Sequence, residues 1–145
     1  MKRTILLAAL LLGACAQAPE GEPKIKVEKA WARATVAGQT GTAAYMTIAN
    51  FGEGEDRLLA VSATPPVTAM VHQTSNEGGV SKMRPVEDGL SIPAGQSVRL
   101  QPNGAHVMIM GFATPLKPAD KVLLKLKFER SGEKAVEVLV STEGL

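Results

Sequence analysis

DKVLLKLKFER, residues 120–130, decides the fold class because its apolar and charged side chains alternate. Successive side chains of a β-strand point to opposite faces of the sheet, so this alternation gives one apolar face and one face rich in lysine. Leu123 is the one apolar residue on the charged side. This stretch is therefore predicted to form a strand with one buried face. The buried face carries Val122, Leu124, Leu126 and Phe128.

Similar short segments recur along the chain, separated by turn signals. Glycine and proline mark the turns, for example at Gly78-Gly79, and none of the segments has the period of a helix. Eight or nine short strands with this spacing are typical of an all-β fold, either a two-sheet β-sandwich or a Greek-key barrel. The predicted strands lie within residues 24–33, 42–50, 56–63, 66–74, 79–86, 97–100, 105–112, 120–129 and 134–141.

The first residues have the features of an export signal. Two basic residues precede an apolar run, residues 4–12, that is too short to cross a bilayer as an ordinary helix. The sequence LGAC, residues 12–15, resembles a bacterial lipobox and implies a lipid-modified Cys15 after a signal peptide of residues 1–14. Ordinary signal cleavage, for example after Ala18, is the alternative and would remove this cysteine.

The rest of the chain divides into a tether and one domain. Residues 15–24 are rich in proline, glycine and charge, which favours a flexible linker, and residues 25–145 are long enough for one compact domain. Cys15 is the only cysteine, so the domain has no internal disulfide and no thiolate. Without the two basic residues of the leader, the 16 Lys and Arg fall to 14, against 14 Asp and Glu. A neutral domain without a basic run lacks the charge expected of a nucleic-acid-binding protein.

The chain has only two histidines, and methionines lie near both of them. His106 and Met108 are two residues apart in a predicted strand, so their side chains leave the same face and could converge on one ion. Met110 would follow them on that face, or would join the core if the strand curls or ends there. Met46 has no histidine nearby and is predicted to fill the core.

His72 and Met83 form the second half of the candidate site, and Met70 lies close to His72 in the sequence. If the flanking strands form a hairpin with Glu77-Gly78 at its tip, His72 and Met83 face one another directly, with Cβ atoms about 5 Å apart. A turn displaced by one residue makes them diagonal neighbours on the same face. The hairpin therefore predicts a shared face for both side chains.

Two imidazoles and two thioethers suit copper(I), whereas hard cations prefer oxygen ligands. A blue-copper electron-transfer centre would need a thiolate, which the domain does not offer. Two other interpretations stay open from the residues alone. One is a metal-free, lipid-anchored structural or interaction domain in which these side chains simply pack. The other is a zinc enzyme, which would need a further ligand such as Glu77, Glu87 or Asp88.

Residues 71–112, VHQTSNEGGVSKMRPVEDGLSIPAGQSVRLQPNGAHVMIMGF, resemble the signature region of the periplasmic copper-A chaperone (PCuAC) family. In that family a His, a downstream Met in a Met-Arg-Pro context, and a His-x-Met pair after a Pro-Ala-Gly turn form the copper site. The upstream stretches AWARAT and AAYMTIAN are similar to the family as well. The resemblance implies a cupredoxin-like β-sandwich. It also implies four copper ligands: His72, Met83, His106 and Met108.

The same resemblance implies an extracytoplasmic copper(I) chaperone that is not an enzyme. Such a protein binds one copper ion and delivers it to a partner, either the dinuclear copper centre of cytochrome oxidase or another copper chaperone. Together with Cys15, this implies a periplasmic lipoprotein held at a membrane. The chain departs from the family pattern at Ser81, where many members have a further Met, and it ends in STEGL instead of a His- and Met-rich tail. A secondary copper(II) site is therefore disfavoured.

Overall fold

A computed structural model describes residues 21–144, and every regular element in this range is a β-strand. The predicted all-β class is therefore confirmed. The predicted signal peptide, Cys15 and most of the tether lie outside the described residues. The strands are β1 (Ile25–Arg33), β2 (Gly41–Asn50), β3 (Asp56–Ala63), β4 (Thr68–Glu77), β5 (Val80–Pro85), β6 (Leu90–Ile92), β7 (Ser97–Leu100), β8 (Ala105–Met110), β9 (Lys121–Phe128) and β10 (Gly132–Ser141).

Nine of these strands follow one hydrogen-bonded path, in the order β5-β4-β8-β2-β1-β10-β9-β3-β6, and β7 pairs with β2. Strands β1 and β10 run parallel, whereas the other pairs are antiparallel. Strand β3 also packs against β4 without hydrogen-bonding to it. The two layers predicted for a sandwich are thus parts of one continuous sheet that curls around a shared core. Across residues 21–144, no helix is long and apolar enough to cross a membrane.

The alternation in β9 has the predicted consequence. Its four apolar side chains on one face are buried, and Leu123 on the other face is 51% exposed. Met46 is buried in the core, as predicted. In β8 the alternation buries Val107 and Ile109, so His106 and Met108 leave the opposite, outer face of the sheet. Because Val107 and Ile109 pack in the core, only the outer face of β8 is available for a binding site.

A buried carboxylate ties β3 to the turn between β9 and β10. Asp56 is only 2% exposed, and its side chain accepts backbone hydrogen bonds from Arg57 (2.8 Å), Arg130 (2.9 Å) and Ser131 (3.0 Å). Burial by itself raises the pKa of Asp56, but these hydrogen bonds outweigh it and hold the pKa below its ordinary value. The ionised carboxylate therefore stabilises the folded state.

We expect Asp56→Ala to lower the free energy of unfolding by about 3 kcal/mol at neutral pH, because three backbone donors lose a charged acceptor. A pKa lowered by folding contributes stability above the unfolded-state pKa, and this stability is lost as the pH falls through the folded-state pKa. The difference between the wild-type protein and the variant should therefore shrink below about pH 4. Urea unfolding at a series of pH values measures it.

The control is Glu133→Ala, which removes an exposed carboxylate paired with Lys125 at 3.3 Å. An exposed pair of this kind contributes less than about 1 kcal/mol. An Asp56→Ala loss no larger than that of the control would contradict the assignment, and so would a loss that does not shrink at low pH.

Candidate metal centre

The two histidines face one another across β4 and β8. His72 lies directly opposite His106 in the register of these strands, and the centroids of their rings are 6.0 Å apart at an interplanar angle of 84°. Residues directly opposite in an antiparallel pair share a face, so both imidazoles project from the outer face of the sheet. His106 is nevertheless only 4% exposed, whereas His72 is partly exposed.

Met83 reaches the same face from β5, although the predicted hairpin register is wrong by one residue at the turn. Gly78-Gly79, not Glu77-Gly78, forms the tip, so Met83 pairs with Thr74 and lies diagonally from His72. Both glycines have positive φ, 63° and 82°. Two-residue hairpin loops of this kind need a left-handed backbone, which glycine adopts without strain and glutamate does not. The prediction that His72 and Met83 share a face is confirmed.

Met108 completes the group that the sequence singled out. It follows His106 by two residues on β8 and lies opposite Met70 on β4 and Ala43 on β2. An open cavity of about 380 Å³ is lined by three of the four predicted ligands. His72 is not in that lining and adjoins the others through His106. The three lining ligands are Met83, His106 and Met108.

The loop between β7 and β8, residues 101–104, helps to position His106. Both strands run antiparallel along β2, β7 beside residues 46–49 and β8 beside residues 41–44. The chain between them leaves the sheet opposite Tyr45 and returns at the start of β8. Within this excursion the Gly104 carbonyl accepts a 3.1 Å backbone hydrogen bond from Thr74 of β4. The loop is thus fixed to the strand that carries His72.

The same carbonyl orients the ring of His106, since Nδ1 of His106 lies 3.1 Å from the Gly104 oxygen. A carbonyl only accepts hydrogen bonds, so Nδ1 carries the proton. In the tautomer with the proton on Nδ1 the lone pair is on Nε2, and such a hydrogen bond is the usual way to fix a metal-binding histidine. Tyr45 packs beside it, with ring centroids 6.5 Å apart.

His72 carries the clearest sign that a ligand belongs here. Its Nδ1 is buried and has no hydrogen-bond partner among the described residues. An unsatisfied buried polar atom costs about 1–3 kcal/mol, and binding an ion would remove this cost. Burial and, secondarily, the neighbouring His106 lower the pKa of His72, which keeps the imidazole neutral and its lone pair available. The site therefore fits a metal that takes neutral nitrogen and sulfur donors.

The described part of the chain does not bring together a set of zinc ligands of the usual kind. Within residues 21–144 no group of three or more His, Cys, Asp or Glu side chains is placed to hold a metal ion. Glu77 is instead paired with Lys82 at 2.7 Å and with Arg84 at 3.7 Å. Glu77, one of the three carboxylates considered as a further zinc ligand, is thus engaged in ion pairs within the β4–β5 hairpin.

Sequence reasoning missed two features of this region. Tyr45 is nearly buried between Trp31, at a centroid distance of 4.8 Å, and His106. The Gly104 carbonyl is a backbone group and so has no signature in residue type. Met110, for which two placements were open, does not join the core: it is 36% exposed and follows Met108 on the outer face.

The fold and the histidine–methionine cluster define a class of small all-β domain, and comparison with known proteins identifies the family. The family model described as "Putative lipoprotein LpqE-like" matches residues 25–140. "Putative lipoprotein Lxx21020" of Leifsonia xyli subsp. xyli is 32% identical over 95% of this chain and 88% of its own length. "Uncharacterized protein RP573" of Rickettsia prowazekii is 26% identical over 84% of this chain and 69% of its own. The chain belongs to the LpqE-like family.

Solved structures of copper-binding proteins are also similar to this chain. The copper-bound PCuAC domain from PmoF2 superposes with a TM-score of 0.65 at 27% identity, covering 81% of this chain and 92% of that domain. The solution structure of CuI-DR1885 from Deinococcus radiodurans superposes with a TM-score of 0.61 at 32% identity, covering 90% and 84%. The predicted PCuAC resemblance and the cupredoxin-like β fold are therefore confirmed.

Proposed function

We propose that this protein is an extracytoplasmic copper(I) chaperone that holds one ion with His72, Met83, His106 and Met108. The observation that carries the proposal is the facing pair of imidazoles, flanked on the same outer face by the two thioethers. The copper-bound PCuAC domain of PmoF2 and CuI-DR1885 support copper as the metal. Their similarity also favours a carrier over an enzyme.

The donor set fits a carrier of a monovalent ion. Thioethers are soft, neutral ligands that favour copper(I) over hard cations, and residues 25–145 contain no cysteine that could build a blue-copper centre. The lowered pKa of His72 leaves its imidazole neutral near pH 7, and the Gly104 hydrogen bond leaves Nε2 of His106 free to bind. Copper(I) would supply the site with one positive charge that these four donors share.

Release to a partner follows from where the site lies. Met83 is 53% exposed, and the cavity beside it opens at the surface, so an acceptor can approach the ion without unfolding the domain. The ion keeps its charge while its bonds to this protein are replaced one by one by the acceptor's ligands. As the acceptor we propose the dinuclear copper centre of cytochrome oxidase or another copper chaperone, on the strength of the PCuAC resemblance.

A membrane anchor at Cys15 would place this carrier in the periplasm. The lipobox-like sequence at residues 12–15 supports it, as does the lipoprotein name carried by the family and by the Leifsonia xyli relative. Residues 15–24 would then act as the tether between lipid and domain. The anchor keeps the carrier close to membrane-bound acceptors.

Copper(I) titration against a competing chelator tests the metal site. We expect the wild-type protein to bind one ion, and we expect His106→Ala and Met108→Ala each to weaken the affinity at least about tenfold, equivalent to about 1.4 kcal/mol. Met46→Leu is the control, because it replaces a buried core thioether with a side chain of similar volume. Its affinity should stay within about twofold of the wild-type value.

Unchanged affinity in both ligand variants would rule out the assigned site. Absence of copper binding by the folded wild-type protein would favour the alternative, a metal-free lipid-anchored interaction domain. In that domain the four side chains would serve only to pack.

Cys15→Ser tests the anchor. We expect the wild-type protein to partition with membranes and its mature N-terminus to carry the mass of the lipid. The added mass should correspond to more than one acyl chain, because a single chain binds membranes only weakly. The serine variant should lose this mass and move to the soluble fraction. Removal of the first 18 residues from the wild-type protein, without lipid, would instead establish ordinary signal cleavage.

A further inference from the structure

Four of the five methionines in residues 21–144 lie on the outer face of β5, β4 and β8, and the proposed copper site uses only two of them. Met70 is 40% exposed and Met110 is 36% exposed. Neither side chain is buried in the core that holds Met46. Packing in the core therefore does not explain why these two methionines lie beside the candidate ligands.

The strand register brings these two methionines next to Met108. Met70 on β4 lies directly opposite Met108 on β8, and Met110 follows Met108 by two residues, opposite Thr68. Directly opposed residues have Cβ atoms about 5 Å apart, and diagonal neighbours about 7–8 Å, which long side chains can span. Met70, Met108 and Met110 thus start from adjoining backbone positions on one face of the sheet, in a patch next to the histidine pair.

Gly41 on β2 leaves room for two of these side chains. A Cβ atom at Gly41 would lie 3.1 Å from Cγ of Met110 and 3.7 Å from Cε of Met108. Both side chains therefore lean over the same bare backbone position, so their thioethers lie on one side of β8. Met70 lies on β4, on the other side of β8, where its side chain lines a cavity with Leu59 and Val86, so it would turn toward β8 to share an ion with Met110.

The chemistry of this patch is that of a weak soft-metal site. The residues opposite Met110 and Met108 on the neighbouring strands are Thr68, Gly41, Met70 and Ala43, none of which is charged. Without an imidazole or an anionic ligand, thioethers bind copper(I) weakly and hard cations hardly at all. Weak binding beside a tighter site suits an ion that is arriving or leaving.

We propose that Met70 and Met110 form a second, weaker copper(I) site, which exchanges its ion with the histidine–methionine site through the shared Met108. The inference rests on the proposed function, because it needs copper(I) at Met108. During exchange the ion remains copper(I), and each new Cu–S bond replaces a Cu–N or Cu–S bond. Copper(I) would thus enter and leave along β8, from the side of Met110.

Methyl NMR of the protein labelled with [methyl-¹³C]methionine tests this proposal during anaerobic titration with copper(I). Up to one equivalent, the methyl signals of Met83 and Met108 should shift. Between one and two equivalents, those of Met70 and Met110 should shift, while buried Met46 stays unchanged. The double variant Met70→Leu/Met110→Leu should lose the second phase and keep the first, with its affinity within about twofold, because leucine has a similar volume.

Leu123→Met is the matched control, since it places a single exposed thioether on β9, away from the patch. Its added signal should not shift at two equivalents. Three outcomes would overturn the second site: Met70 and Met110 signals that never shift, signals that shift together with Met83, or equal shifts at position 123. Unmoved Met83 and Met108 signals at one equivalent would instead contradict the proposed function, and the second site with it.

Discussion

The pairing of β4 with β8 is the constraint on which the rest depends. Val71 and Val107 lie opposite one another on the inner face and are both buried, so the core fixes the register of these two strands. The next pair along is His72 and His106, on the outer face. A slip of one residue in either strand would turn its outer side chains into the core and place buried valine at the surface. Hydrophobic packing on one face thus holds the imidazoles in position on the other.

The excursion between β7 and β8 adds the second constraint. It interrupts what would otherwise be one long partner of β2, and it brings the Gly104 carbonyl to both Thr74 and His106. One backbone oxygen therefore links the loop, the strand of His72 and the ring of His106. A site held in this way needs little rearrangement to bind an ion, and its exposed edge at Met83 leaves a route for ligand exchange. A carrier needs some ligands that are held in place, as the ring of His106 is, and others that an acceptor can reach, as it can reach Met83.

Much of this arrangement could be predicted from residue order, because alternation in a strand is a local property. The buried face of β9 and the shared face of His72 and Met83 follow from a period of two. Met46 was assigned to the core because no histidine lies near it in the sequence, and it is buried there. Strand β6 was not predicted, since three residues are too few to show alternation. The predicted tip of the hairpin, Glu77-Gly78, is wrong by one residue because Glu77, Gly78 and Gly79 are all adjacent turn candidates. The two glycines form the tip because they adopt positive φ without strain.

Contacts between distant segments could not be predicted. Tyr45 adjoins His106 only because β2 pairs with β8, far along the chain, and the Gly104 carbonyl carries no side-chain signal. The metal roles of the four ligands and the lipid on Cys15 stay predictions, supported by the PCuAC resemblance and by the copper-bound relatives.

X-ray absorption spectroscopy of the protein loaded with one equivalent of copper(I) counts the atoms bound to the metal, and so tests whether His72, Met83, His106 and Met108 bind it together. We expect a copper(I) edge and a first shell of two nitrogen and two sulfur atoms, with the outer-shell scattering of imidazole. A shell of nitrogen and oxygen alone, or one without imidazole scattering, would contradict this assignment.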